Sequence, residues 1–240
     1  MLTLPTSTTI TKTTSGDLQG TLDGGVVAFR GVPYARPPVG PLRFAPSERP
    51  GSWTGARDAG AFGPAAMQAT NAILGKQLVA AMSEDCLFLN VWTPAVDDDR
   101  RPVLVWLHGG AFVTGAGSSY DGAVLARRGD MVVVTVNYRL GLFGYLRGVD
   151  ICGEALPSTG NEGLLDQLAA LTWVNQEIAA FGGDADNTAC GALVPDCGSM
   201  LRNRTASSPS WHLSCCRHTS AMSSRAASTG GVIGWTTSVS

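Results

Sequence analysis

The residues P-V-L-V-W-L-H-G-G-A-F-V-T-G-A-G, Pro102 to Gly117, decide how the rest of the chain is read. Val103, Leu104, Val105, Trp106 and Leu107 form a continuous apolar run about one buried strand long. Such runs suit a parallel sheet covered on both faces. His108, Gly109, Gly110 and Ala111 then break the strand at its carboxyl end, where open α/β sheets place their chemistry. Two glycines there let backbone N–H groups face a ligand with no Cβ in the way. Fixed donors of this kind are what a carbonyl oxygen needs as it gains negative charge. Standing alone, the same pattern also reads as a plain glycine turn after a strand.

Outward from this stretch, the order strand, helix, strand recurs. S-S-Y-D-G-A-V-L-A-R-R-G-D reads as a short helix with Gly129 at its C-cap. M-V-V-V-T-V-N-Y-R-L-G, Met131 to Gly141, reads as a second buried strand, so the connection is a right-handed parallel crossover. Leu164, Leu165, Leu168, Leu171, Val174, Ile178 and Phe181 recur at helical spacing, with Asn161 as the cap and Gly182-Gly183 as the stop. Upstream, residues 9–30 read as short strands, with a hairpin turn at Asp23-Gly24-Gly25. The proline-rich run Phe29 to Phe44 reads as an ordered surface crossing outside the sheet. Residues 65–82 read as loosely helical, and Ser83 to Pro94 as a strand. Asp97, Asp98 and Asp99 sit at a loop tip and read as solvated carboxylates, not as a metal cluster.

Composition bounds the function. The chain has 240 residues and a formal net charge of −2. Nothing in that balance calls for nucleic acid or an anionic membrane surface. The opening residues lack the apolar core of a signal peptide, and no apolar run is long enough for a membrane span. The six cysteines are unevenly placed and do not make a disulfide framework, so a reducing cytoplasm is the expected setting.

Six blocks in order now carry a resemblance: F-R-G-V-P-Y-A-R-P-P-V-G-P-L-R-F, S-E-D-C-L-F-L-N-V-W-T-P, V-L-V-W-L-H-G-G-A-F, V-N-Y-R-L-G-L-F-G-Y-L, G-N-E-G-L-L-D-Q-L-A-A-L-T-W-V and F-G-G-D. Together they resemble the type B carboxylesterases, the cholinesterase-like branch of the α/β-hydrolases, over roughly residues 13–187. The resemblance implies an incomplete α/β-hydrolase fold, with a mixed, mostly parallel sheet and a small N-terminal antiparallel sheet. It implies a small-molecule carboxylic ester as substrate and Ser–acid–His acyl transfer, with no metal or organic cofactor. Oligomeric state is not legible. Gly109, Gly110 and Ala111 match the family's oxyanion-hole run, with Ala111 in place of a third glycine. Arg43 and Glu84 match one partly buried ion pair, and Arg139 and Asp166 a second. Cys86 matches a cysteine that many members pair with an earlier one. The earlier slot falls in F-G-P-A-A-M-Q, so Cys86 is expected to be a free buried thiol.

The pattern breaks after Asn187. There the family continues to G-E-S-A-G, whose serine sits on a strained turn. Alignment puts Val194 or Leu193 in the serine slot, and neither is a nucleophile. No G-x-S-x-G occurs in the chain. Ser199 lacks both flanking glycines. His212 and His218 come too soon to serve as the family's base, and His108 belongs to the glycine turn. No catalytic residue is assigned. Residues 188–240 carry four arginines and one aspartate and show no strand or helix period. The expected division is therefore 1–187 as the N-terminal part of the esterase domain and 188–240 as an unrelated tail, disordered or frame-shifted. In the second case the coding DNA holds the missing motif in another frame.

Three functional classes follow. The first is a carboxylic ester hydrolase by descent, inactive as this chain alone. The alternative is a non-catalytic cholinesterase-like binding protein. The third is metal binding by Cys190, Cys197, His212, Cys215, Cys216 and His218, whose spacing lacks a paired knuckle.

Overall fold

A computed structural model describes residues 8–69, 81–156, 158–192, 199–203 and 211–215. Twelve strands and four α-helices follow in chain order. Strands β1 (Thr8–Thr13), β2 (Gly16–Asp23) and β3 (Val26–Pro33) come first. The short strands β4 (Ala56–Asp58), β5 (Ala65–Ala66) and β6 (Met82–Ser83) follow. Then come β7 (Phe88–Thr93), β8 (Arg101–Leu107), α1 (Ala123–Gly129) and β9 (Val132–Val136). Helices α2 (Gly141–Tyr145), α3 (Val149–Cys152) and α4 (Glu162–Glu177) lead to β10 (Gly183–Ala192), β11 (Ser199–Asn203) and β12 (Trp211–Cys215).

One ten-stranded sheet runs in the order β1-β2-β3-β7-β9-β8-β10-β11-β12, with β4 beside β2. The apolar run of β8 lies at its parallel heart. Val103–Leu107 pair in parallel with Val132–Val136 of β9 on one side and with Thr188–Ala192 of β10 on the other. The chain therefore steps one way from β8 to β9 and the opposite way to reach β10. The antiparallel N-terminal strands join this sheet through the β3–β7 pairing, while β5 and β6 form a separate two-stranded sheet. No helix among the described residues is long and apolar enough to cross a membrane.

Alternation along the strands divides the core. Val103, Val105 and Leu107 face Val132, Val134 and Val136 on the side of α4, where Leu171, Val174, Ile178 and Phe181 complete the main cluster. On the other side, Val26, Ala28, Trp92 and Val133 pack on Ala126 of α1. The C-cap of helix α1 is Asp130, in the left-handed region at φ 44°, and not Gly129. Asp130 bonds its own N–H to the Ala126 carbonyl, and aspartate tolerates this conformation.

Several expectations are corrected. The proline-rich crossing begins as strand, since β3 extends to Pro33. A bulge between Phe29 and Val32, with Gly31 at φ 66°, absorbs the irregularity, and Asn90 Oδ1 accepts the Gly31 N–H at 3.0 Å. Asn161 makes no side-chain cap. The buried Glu162 carboxylate instead accepts the N–H groups of Thr159 at 2.7 Å and Gly160 at 3.1 Å, which ties down the segment that enters α4. The leucine stripe divides: Leu171 is buried, whereas Leu164 and Leu168 are exposed. Of the helix expected over residues 65–82, the described part holds only β5 and the start of β6, and residues 70–80 lie outside the described residues.

The boundary drawn after Asn187 falls inside β10. Thr188 and Cys190 point into the core while Gly191 lies flat against the Trp106 ring. Backbone pairing with β8 asks only for small or alternating residues here, and T-A-C-G-A supplies them. Beyond it, β11 pairs antiparallel with β10 and with β12. A strand edge left open after β10 would present unpaired N–H and C=O groups, and β11 supplies their partners.

Candidate functional site

The carboxyl end of β8 delivers a tightly wound turn. Gly110 at φ 123° and Gly115 at φ 121° adopt backbone conformations that L side chains rarely reach. Added Cβ atoms would lie 1.9 Å from the Thr114 carbonyl oxygen and 2.2 Å from His108 Nδ1, so both positions require glycine. Between them, Ala111 and Phe112 also have positive φ, 52° and 62°. The Gly110 carbonyl accepts the N–H groups of Val113 at 3.0 Å and Thr114 at 3.1 Å, which closes the turn. The Gly141 N–H donates to the Phe112 carbonyl at 2.7 Å and ties the turn to the start of α2. Among the described residues, no group accepts the N–H of Gly109, Gly110 or Ala111. Three neighbouring backbone donors at the end of the central strand thus have no acceptor among the described residues.

His108 anchors the base of the turn. It is buried, and its ring stacks on Tyr138 with centroids 4.4 Å apart. Its Nδ1 lies 2.9 Å from the Gly109 carbonyl, which can only accept, so Nδ1 carries the proton. Nε2 is then an unprotonated acceptor, buried and without a hydrogen-bond partner among the described residues. Burial pushes the His108 pKa below its ordinary 6.5, against a smaller opposing effect of the bond to Gly109. The Tyr138 hydroxyl donates to the His108 carbonyl at 2.6 Å and fixes the strand end from the β9 side.

Two amide side chains hold the outer part of the turn. Asn137 Oδ1 accepts the Gly117 N–H at 2.7 Å, and its Nδ2 donates to the Pro64 carbonyl at 3.0 Å. Gln68 Oε1 accepts the Gly115 N–H at 2.8 Å, while Gln68 Nε2 donates to the Gly115 carbonyl at 2.8 Å. Sequence reasoning passed over both. Asn137 stands inside a quoted block, where its place directly after a buried strand was the available signal. Gln68 lies in an irregular segment and reaches a partner far along the chain, so no periodicity marks it.

The structure brings Arg139 and Asp166 together. Arg139 Nε and Nη2 donate to the two carboxylate oxygens, each at 2.8 Å, and the Arg139 N–H adds a third bond at 3.1 Å. The side chains are 2% and 0% exposed. Burial opposes the Arg139 charge, and the Asp166 carboxylate outweighs it, holding the guanidinium above its ordinary value. The pair staples the loop after β9 to α4. Arg43 and Glu84 also meet, at 2.5 and 2.7 Å, and with side chains 44% and 25% exposed they lie nearer the surface than Arg139 and Asp166. The proline-rich crossing carries Arg43 over the outside of the molecule. Cys86 is a free, buried thiol, pushed far up in pKa by desolvation. Cys190 is likewise free and buried, pushed up to about 12 by desolvation. No group of three or more His, Cys, Asp or Glu side chains suited to a metal occurs among the described residues.

The nucleophile slot, Leu193 or Val194, lies outside the described residues. Its approach is fixed by register. Ala192 sits opposite Leu107, so the chain leaves β10 at the level where β8 passes into His108 and Gly109. Ser199, the other hydroxyl considered, is the first residue of β11.

The family model described as "Carboxylesterase family" matches residues 7–191. The phenmedipham hydrolase of Pseudarthrobacter oxydans is 48% identical over 181 residues, which are 73% of this chain and 35% of that protein. The para-nitrobenzyl esterase of Bacillus subtilis is 47% identical over 181 residues, 74% of this chain and 36% of that one. Among solved structures, the Geobacillus stearothermophilus carboxylesterase EST55 aligns with a TM-score of 0.69 at 49% identity, covering 76% of this chain and 38% of its own. The chain thus spans about a third of the length of the curated relatives it matches. With the match running from β1 to Gly191 in β10, the chain belongs to the carboxylesterase family.

Proposed function

We propose that this chain carries the oxyanion-binding part of a carboxylic ester hydrolase and does not turn over esters by itself. The carrying observation is the set of N–H groups of Gly109, Gly110 and Ala111, without an acceptor among the described residues, beside the exit of β10. In acyl transfer a serine oxygen attacks the ester carbonyl carbon, and the carbonyl oxygen becomes a full anion. Backbone donors fixed beforehand stabilise that anion without reorganising, and one such donor is worth about 10²–10³ in rate. The substrate is then a small carboxylic ester whose carbonyl oxygen sits over the Gly109–Ala111 turn. Neither residue aligned with the serine slot carries a nucleophile, and no G-x-S-x-G supplies one elsewhere.

A chimera tests both halves of the proposal. Residues 1–191 are joined to the part of the Bacillus subtilis para-nitrobenzyl esterase that follows the matched region. The chimera is expected to hydrolyse p-nitrophenyl acetate with a titratable burst, and the 240-residue chain to show only the buffer rate. A burst from the chain itself, abolished by a serine-directed phosphonate, refutes its inactivity. A folded chimera without turnover refutes the oxyanion role of the turn.

A further inference from the structure

Among the described residues, Gln68 is the one side chain that grips both backbone polar groups of a single residue in the glycine turn. Its carbonyl oxygen takes the Gly115 N–H and its amide nitrogen gives to the Gly115 carbonyl, both at 2.8 Å. The same nitrogen also donates to the Ala66 carbonyl at 3.1 Å, which braces the side chain against its own segment. Ala66 is itself buried in the main core, so the brace rests on a fixed point. The gripped residue is the one whose placement decides the turn. Gly115 lies against the His108 ring and the Gly109 carbonyl, the space its missing Cβ would fill. A shift of Gly115 therefore moves His108 and the peptide that opens the donor run.

We propose that Gln68 is a positioning residue, which holds the turn from Gly109 to Gly115 in its donor-presenting form by clamping Gly115 at both polar groups. Its bearing on catalysis rests on the ester-hydrolase reading above, whereas the clamp itself does not. The amide is suited to this task because it offers donor and acceptor side by side at the spacing of a peptide group. Glutamate offers no donor when ionised, and methionine fills similar space with no donor and only a weak acceptor.

The test compares Gln68→Met and Gln68→Ala in the full chain by amide hydrogen exchange. The Gly115 N–H is expected to exchange about tenfold faster in Gln68→Met, the effect of one lost hydrogen bond, while the β9 amides Val132–Val136 keep their wild-type protection. In the chimera, Gln68→Met is expected to lower kcat about tenfold with KM held, the mark of an interaction realised in the transition state. Wild-type exchange in Gln68→Met, with opening only in Gln68→Ala, makes the role one of packing and overturns the proposal. Equal opening of Val132–Val136 makes Gln68 a stability residue and overturns it as well. An open turn with unchanged kcat shows that the clamp does not place the donors, and overturns the catalytic half. If the chimera bearing Gln68 is itself inactive, the ester-hydrolase reading fails, and the exchange result still decides the clamp.

Discussion

At the scale of single residues, burial separates two ion pairs that look alike in sequence. Both were identified from blocks of the chain, and nothing in an Arg or a Glu tells how deep it will sit. Asp166→Asn leaves the buried Arg139 guanidinium without a counter-charge and is expected to cost about 3–5 kcal/mol, read from the urea midpoint. Glu84→Gln removes a surface partner, and its small effect should vanish when salt is raised to about 1 M. A large, salt-independent loss for Glu84→Gln contradicts the exposed geometry. His108 gives a pH dependence of defined sign. Its folded-state pKa lies below the unfolded value of 6.5, so the unfolded chain binds the proton first. That contribution is complete above this value and is lost as pH falls through it. The urea midpoint of wild type should drop between about pH 7 and pH 5 more steeply than that of His108→Gln. Parallel curves would show that His108 is accessible to protons in the folded state. Gln68 and Asn137 mark the limit of reading at this scale. A lone amide acquires its role from what the fold sets opposite it.

Among the elements, β8, β9 and α4 were legible because each carries its own period. Continuous apolar runs announce strands buried on both faces, and a seven-residue stripe announces α4 and the turn Ile178–Phe181 that follows it. What the stripe does not announce is which arc of the helix finds a partner. Leu171 faces the sheet and is 2% exposed, while Leu168 is 51% exposed. Leu171→Ala should cost about 2–5 kcal/mol, as for any buried leucine left as a cavity. Leu168→Ala should stay within about 0.5 kcal/mol. Equal losses at the two positions would mean that a further segment covers the outer arc. The strands β11 and β12 were illegible for a different reason. Each is five residues long, and a run that short gives period-2 alternation little room to stand out.

For the whole molecule, the sheet's faces are unequally clothed. Helix α4 covers the β8 side through a broad core, whereas α1 covers only the β3, β7 and β9 portion of the opposite face. Leu104 and Trp106 of β8 are left half-buried there. Around α2 and α3, Leu142 and Ile151 are 68% and 70% exposed, and Phe112 and Val113 of the glycine turn stand out beside α2. Apolar groups gathered in this way favour self-association. The chain is expected to bind a hydrophobic dye such as ANS in its folded state and to sediment faster with rising concentration, and the chimera to do neither. A monodisperse chain without dye binding would mean that its own remaining residues cover these groups.

Two buried thiols among the described residues turn the molecule into its own stopwatch. Cys86 and Cys190 are each 1% exposed and held as neutral thiols, while Cys152 lies open to solvent. An alkylating reagent needs a thiolate it can reach. Cys152 is therefore tagged at once, and each buried thiol waits for the structure around it to part. Cys86 sits beneath the proline-rich crossing, and Cys190 on the strand beside β8. Peptide mapping over time would read two openings in one sample. Simultaneous tagging identifies a single cooperative unit. Earlier tagging of Cys190 identifies β10 as the strand that leaves first, and shows how firmly the last family-matched strand is held by the one neighbour that it pairs with in parallel.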